Sequence, residues 1–253
     1  MNLGIMQGRL SPPDEGFQEC PSGWRREFNL LFTLGLGHVE WVVTKKSLDS
    51  NPCFYEELET YPIYTICADN LVDKNICDPG FLENNLRPIC EAARRNNIKS
   101  VSIPLLEDSS VTDSTVRKKF CKLIKKYAEE YEDLEFWFEA ELEAFKLMDI
   151  LSISDNFFVT YDTGNMTSCG FDHQEYISMI FKRIRNVHLK DRTTDAQTVP
   201  PLSGDTDFKK IFKFLKKKNY NGIYTLQTAR EEPGNEYQTI LKHKGILEEL
   251  YNE

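Results

Sequence analysis

The sequence predicts an α/β protein folded as a single (β/α)8 TIM barrel over residues 1–253, and three observations predict it. Short apolar runs of strand length alternate with segments of helical spacing along the whole chain, eight of each, and such alternation dictates a parallel sheet with helices outside it. The length of 253 residues suits that many strand–helix pairs. No Gly-x-Gly-x-x-Gly follows the first apolar run, which removes the usual cofactor signal of the alternative, an open doubly wound sheet.

The first strand, Leu3 to Gln7, stops at Gly8-Arg9. After a loop with Pro12, Pro13, Gly16 and Pro21, Trp24 to Leu34 has helical spacing and closes at Gly35 and Gly37. His38 to Val43 is the second strand, and Phe54 to Leu58 the remnant of a second helix. Ile63 to Ala68 is the third strand. A helix from Pro79 to Asn96 follows, with proline close to its start and Arg94 and Arg95 in its last turn. Ser100 to Leu106 is the fourth strand, and Thr112 to Tyr131 a long amphipathic helix with Val116, Phe120, Leu123, Ile124 and Tyr127 on one stripe. Leu134 to Glu139 and Leu142 to Leu151 form the fifth pair. Phe157 to Asp162 and Gln174 to Arg183 form the sixth, with Asp162-Thr-Gly-Asn165 as a turn between them. Ile184 to Lys190 leads through a loop with Pro200, Pro201 and Gly204 to a helix from Phe208 to Lys218. Gly222 to Gln227 and Tyr237 to Leu250 are the last strand and helix. There is no internal repeat, low-complexity tract or linker, so one domain is expected.

Composition narrows the function. The net charge of −9 argues against nonspecific binding to nucleic acid or an anionic membrane. No apolar run reaches the roughly 18 residues needed to cross a bilayer, and the amino terminus lacks the basic segment of a signal peptide. Seven scattered cysteines without a Cys-x-x-Cys pair read as thiols in a reducing cytoplasm, not as a zinc ribbon.

In a barrel of this kind the reacting groups sit at the carboxyl ends of the strands. Those ends carry Arg9, Glu40, Asp69, Glu107, Glu139 with Glu141, Asp162, His188 with Lys190, and Gln227 with Arg230. Three successive strands end in Glu139, Asp162 and His188, the oxygen and nitrogen ligands of a divalent metal. A carboxylate closing Phe136-Trp-Phe138 is costly to bury without a positive partner. Glu40 reads equally as a pocket or a solvent-facing residue, Asp69 as a ligand or turn former, and Glu107 more as a capping or solvated residue than as a ligand, with all three counted among the substrate-binding candidates. His38, His173 and His243 read as structural: two on loops or strand starts, one on the last helix. Arg9, Lys190, Arg192 and Arg230 form a local positive rim suited to a phosphate or carboxylate on the substrate. The alternative for Lys190 and Arg192 is pairing with Asp191 and Asp195.

Several stretches, Met1 to Pro12, Ile66 to Asp69, Ser102 to Glu107, Tyr161 to Asn165, Val187 to Arg192 and Leu226 to Arg230, resemble the sugar phosphate isomerase/epimerase proteins of the xylose isomerase-like TIM-barrel superfamily. The most specific are Met-Gln-Gly-Arg-Leu-Ser-Pro and His-Leu-Lys-Asp-Arg. The resemblance implies one divalent ion, Mn²⁺, Mg²⁺, Co²⁺ or Zn²⁺, held by Glu139, Asp162, His188 and a fourth ligand that falls on Gln227. That last position departs from the family's glutamate. An amide oxygen still coordinates such an ion, but it has no pKa with which to take a proton. The resemblance also implies a sugar or sugar phosphate as partner. On that basis Glu139 is expected as the base that takes a proton beside a carbonyl, and Lys190 or a water as the source of a returning proton. An oligomer is allowed by the sequence. Competing readings are a metal-dependent dehydratase or lyase on a polyhydroxy ring compound and a barrel that binds a metabolite without turning it over. A nuclease with a histidine-rich zinc cluster is disfavoured by four histidines and the acidic charge.

Overall fold

The computed structural model describes residues 1–13 and 20–253, so the expected loop residue Gly16 lies outside the described part. Eight parallel strands close a barrel: β1 (Leu3–Met6), β2 (Val39–Val42), β3 (Ile63–Cys67), β4 (Ser100–Leu105), β5 (Glu135–Ala140), β6 (Phe157–Asp162), β7 (Ile184–Leu189) and β10 (Ile223–Leu226), with β10 hydrogen-bonded between β7 and β1. Two further strands, β8 (Asp191–Arg192) and β9 (Thr198–Val199), form a small antiparallel pair after β7. The helices are α1 (Trp24–Thr33), α2 (Pro79–Asn85), α3 (Arg87–Arg95), α4 (Ser114–Glu130), α5 (Ala144–Leu151), α6 (Thr163–Ser168), α7 (His173–Ile180), α8 (Phe208–Lys217) and α9 (Glu236–Asn252). Among the described residues no helix is long and apolar enough to cross a membrane, and no cysteine pair is bridged.

Contacts group the chain into two compact units, residues 40–160 and residues 1–39 with 161–253. In the first, aromatic rings fill the space between strands and helices. Phe138 meets Phe157 edge-on at 5.0 Å and Phe120 of α4 at 6.0 Å. In the second, Tyr224 of β10 packs edge-on against Phe212 of α8 at 6.0 Å and Tyr251 of α9 at 5.7 Å.

Three expectations are corrected. The helix expected over Pro79–Asn96 is two helices that part at Leu86, because Pro88 has no N–H to donate and instead suits the first turn of a new helix. The remnant helix at Phe54–Leu58 is only a 3-10 turn, Pro52–Phe54. It is nucleated by the Asn51 carboxamide, which accepts from Cys53 N at 3.1 Å and Trp41 Nε1 at 2.8 Å and donates to Val42 O at 2.8 Å. The turn expected after Asp162 continues as α6, capped by the Asp162 carboxylate itself.

All three histidines read as structural have local partners. His243 of α9 meets Thr228 Oγ1 at 2.9 Å. His173 opens α7, not a loop, and meets the Tyr161 hydroxyl and Thr167 Oγ1. His38 Nε2 lies 3.3 Å from Thr225 Oγ1, whose own proton goes to Asn186 Oδ1 at 2.9 Å, so the imidazole is the donor. Gly4 makes room for this ring, since a Cβ there would fall 2.3 Å from its atoms.

Burial holds the imidazoles of His38 and His173 down at about 4. The unfolded chain therefore binds more protons than the folded one between roughly pH 6.5 and pH 4. This contribution to stability is complete above that window and is lost as the pH falls through it. Denaturant titrations are expected to show a loss of ~2 kcal/mol per histidine between about pH 7 and pH 5; an unchanged unfolding free energy over that range contradicts the assignment.

Candidate metal centre at the strand ends

Strand alternation decides which side chains reach the barrel interior. Phe136 and Phe138 point outward against aromatic neighbours, leaving Glu135, Trp137 and Glu139 on the other face of β5, where Trp137 Nε1 donates to Glu135 Oε2 at 2.8 Å. By the same period Thr160 and Asp162 share a face of β6, and Asn186 and His188 a face of β7. Asn186 takes part in the polar layer with Thr225 and His38. The outcome is a buried cluster: Glu139, Asp162 and His188 each offer a ligand atom, all within 4.8 Å of one another.

Asp162 is held from both sides. Its Oδ1 accepts from Asn165 N at 2.7 Å, while Oδ2 faces Lys190 Nζ at 2.7 Å and His188 Nδ1 at 3.8 Å. Lys190 is itself only 7% exposed. Its backbone is fixed by Thr163, whose Oγ1 donates to Lys190 O at 2.7 Å and accepts from Lys190 N at 3.1 Å. Gly164 leaves space for the basic side chains, because a Cβ there would lie 3.0 Å from Lys190 Cγ and 3.1 Å from Arg192 Cγ. The alternative reading of Lys190, a pair with Asp191, is not what the structure shows. The Asp191 carboxylate instead accepts from Gly204 N at 3.0 Å and Thr206 N at 3.1 Å. Asp195 accepts from Thr193 Oγ1 and Gln197 Nε2, within its own turn.

Gln227 lies two residues beyond Thr225, which stands in register with His188. Its Oε1 is buried and has no hydrogen-bond partner among the described residues. A buried carbonyl oxygen in that state is costly unless something takes its lone pair. Two carboxylates and an imidazole converging in this way are a donor set suited to a divalent cation, so the residues present fit a metal.

The remaining expected site residues differ in burial. Arg9 and Glu40 are buried, Asp69 and Arg192 half-buried, and Arg230 half-buried with both Nη atoms donating to backbone carbonyls. Glu107 is exposed at the start of a 3-10 turn, with a φ of 47°. Sequence reasoning missed Glu27, Thr163 and Gly164. The signal for Glu27 was present: it falls on the stripe Trp24, Phe28, Leu31 of α1, where a charge is out of place, and it is 3% exposed.

A closed parallel barrel with a buried Glu–Asp–His cluster at its strand ends defines a TIM barrel with a candidate metal centre. Residues 77–244, about two thirds of the chain, match the model of the xylose isomerase-like TIM barrels, and the chain belongs to that family. It is similar to inosose dehydratase of Clostridium perfringens, with 30% identity over 128 residues covering 42% of each chain. It is also similar to a putative L-ribulose-5-phosphate 3-epimerase of Haemophilus influenzae, 28% identical over 121 residues covering 45% of this chain and 42% of that one. These alignments thus span less than half of either relative's length. Among solved structures, the IOLI protein with a binding zinc atom superposes with a TM-score of 0.74 at 16% identity, covering 99% of both chains, a likeness of fold.

Proposed function

We propose that the protein is a divalent-metal-dependent sugar isomerase or epimerase that removes a proton from the carbon beside a carbonyl. The observation that carries this reading is the buried convergence of Glu139, Asp162 and His188. Glu139, Asp162, His188 and Gln227 hold the ion, which supplies Lewis-acid polarisation of the substrate carbonyl. Glu139 takes the proton; its carboxylate belongs to the buried cluster and is only 4% exposed. Gln227 has no proton chemistry of its own, so the second glutamate of a two-base scheme is missing. One base suffices for aldose–ketose isomerisation, in which the proton moves between adjacent carbons on one face. Epimerisation requires return from the opposite face, a role for Lys190, whose Nζ pairs with Asp162, or for a water.

A second reading, dehydration of a polyhydroxy ketone, is favoured by the same Gln227 and by the similarity to inosose dehydratase. That reaction needs one base for the carbon acid and one acid for the departing hydroxyl, roles that Glu139 and Lys190 can fill. Incubation of the metal-loaded protein with keto-sugars, sugar phosphates and inososes in deuterated water separates the readings. Deuterium retained beside the carbonyl supports the isomerase or epimerase. Loss of water supports the dehydratase. Absence of exchange with every compound contradicts both.

A further inference from the structure

The turn that opens α6 is built around one side chain. Asp162, Thr163, Gly164 and Asn165 are consecutive, and each acts on Lys190. Asp162 Oδ2 faces the Lys190 Nζ at 2.7 Å, and Asn165 Oδ1 accepts from the same nitrogen at 3.4 Å. Thr163 Oγ1 holds the backbone N and O of Lys190. Gly164 clears the path of the stem, since a Cβ there would fall 3.0 Å from Lys190 Cγ and 3.1 Å from Cδ. A buried ammonium is costly, and these contacts offset the cost.

Asp162 is also a member of the buried cluster with Glu139 and His188. Its two oxygens have different duties. Oδ1 caps α6 by accepting from Asn165 N at 2.7 Å, which orients the carboxylate without help from Lys190. Oδ2 is the oxygen that faces His188 Nδ1, at 3.8 Å. Its contact with Lys190 is an ion pair that lacks the alignment of a hydrogen bond. A lone pair of Oδ2 therefore remains for a cation, and a cation that takes it stands beside a fixed positive charge. Like charges so placed repel strongly where water screens them poorly.

We infer that Lys190 tunes the metal centre: its ammonium shares Asp162 Oδ2 with the divalent ion and weakens binding, so that the ion exchanges with solution. Two carboxylates attract the ion and the ammonium opposes it. That there is an ion to tune rests on the metal centre of the function proposed above; the sign of the Lys190 effect follows from the ion pair.

Calorimetric titration of Mn²⁺ into chelator-treated wild type and Lys190→Met tests this. Methionine keeps an apolar stem and removes the charge. The variant is expected to bind Mn²⁺ at least ~10-fold more tightly than the wild type, and Mn²⁺ should raise its melting temperature by more. Lys190→Gln, also neutral but able to donate to Asp162, is expected to shift affinity in the same direction and serves if the methionine variant does not fold. A lysine that only supported the site would give the opposite sign, with weaker Mn²⁺ binding in both variants. Unchanged or weaker binding by a folded variant overturns the inference and leaves the metal centre in place. Binding by neither the wild type nor a folded variant removes the metal centre and this inference with it.

Discussion

Glu139→Gln is expected to leave a folded protein that still binds Mn²⁺ but exchanges no proton with its substrate. The carboxamide keeps an oxygen of the same placement for the cation, so metal content changes little. It loses the capacity to accept a proton, because an amide has no pKa near neutrality. General-base catalysis of this kind is worth roughly 10²- to 10⁴-fold, so a fall in exchange of ~10³-fold is the expected size. Deuterium incorporation followed by NMR, with metal content measured on the same sample, reads both quantities. Undiminished exchange removes Glu139 from the role of base; loss of metal together with exchange makes it chiefly a ligand.

His188→Ala is expected to act in the opposite order, abolishing metal binding first. His188 is the one nitrogen donor of the cluster, fully buried beside Asp162, and alanine offers nothing in its place. Perturbing even the outer partners of a metal ligand costs about 10- to 100-fold in affinity, so deleting a ligand should cost at least ~100-fold. Mn²⁺ titration of the chelator-treated variant checks this, with circular dichroism confirming the fold. Wild-type affinity in folded His188→Ala places the ion elsewhere.

The barrel was legible because its signals are local. Apolar runs of strand length and helical stripes recur in order; seven of the eight barrel strands lie within the span their run predicts, and β5 runs one residue past it, to Ala140. The candidate site was legible for a related reason: charged residues that close apolar runs, such as Glu139 after Phe136-Trp-Phe138, have few places to go except a strand end. Partnerships were harder to read, since they depend on direction. Sequence proximity left Asp191 as an alternative partner for Lys190, yet the Asp191 carboxylate is taken by the backbone of Gly204 and Thr206, and Asp162 takes the ammonium. The grip on the backbone beside Arg9, where Glu27 accepts from Gly8 N and Leu10 N and Arg230 donates to Gly8 O, escaped notice because these contacts reach backbone groups 17 to 222 positions away and carry no residue-type signature.

Calorimetric titration of Mn²⁺ into the chelator-treated wild-type protein tests the central claim most directly. The account predicts saturable binding of one ion per chain, competed by Zn²⁺ and Co²⁺. A folded protein that takes up no divalent cation would show that Glu139, Asp162 and His188 converge for some purpose other than holding a metal.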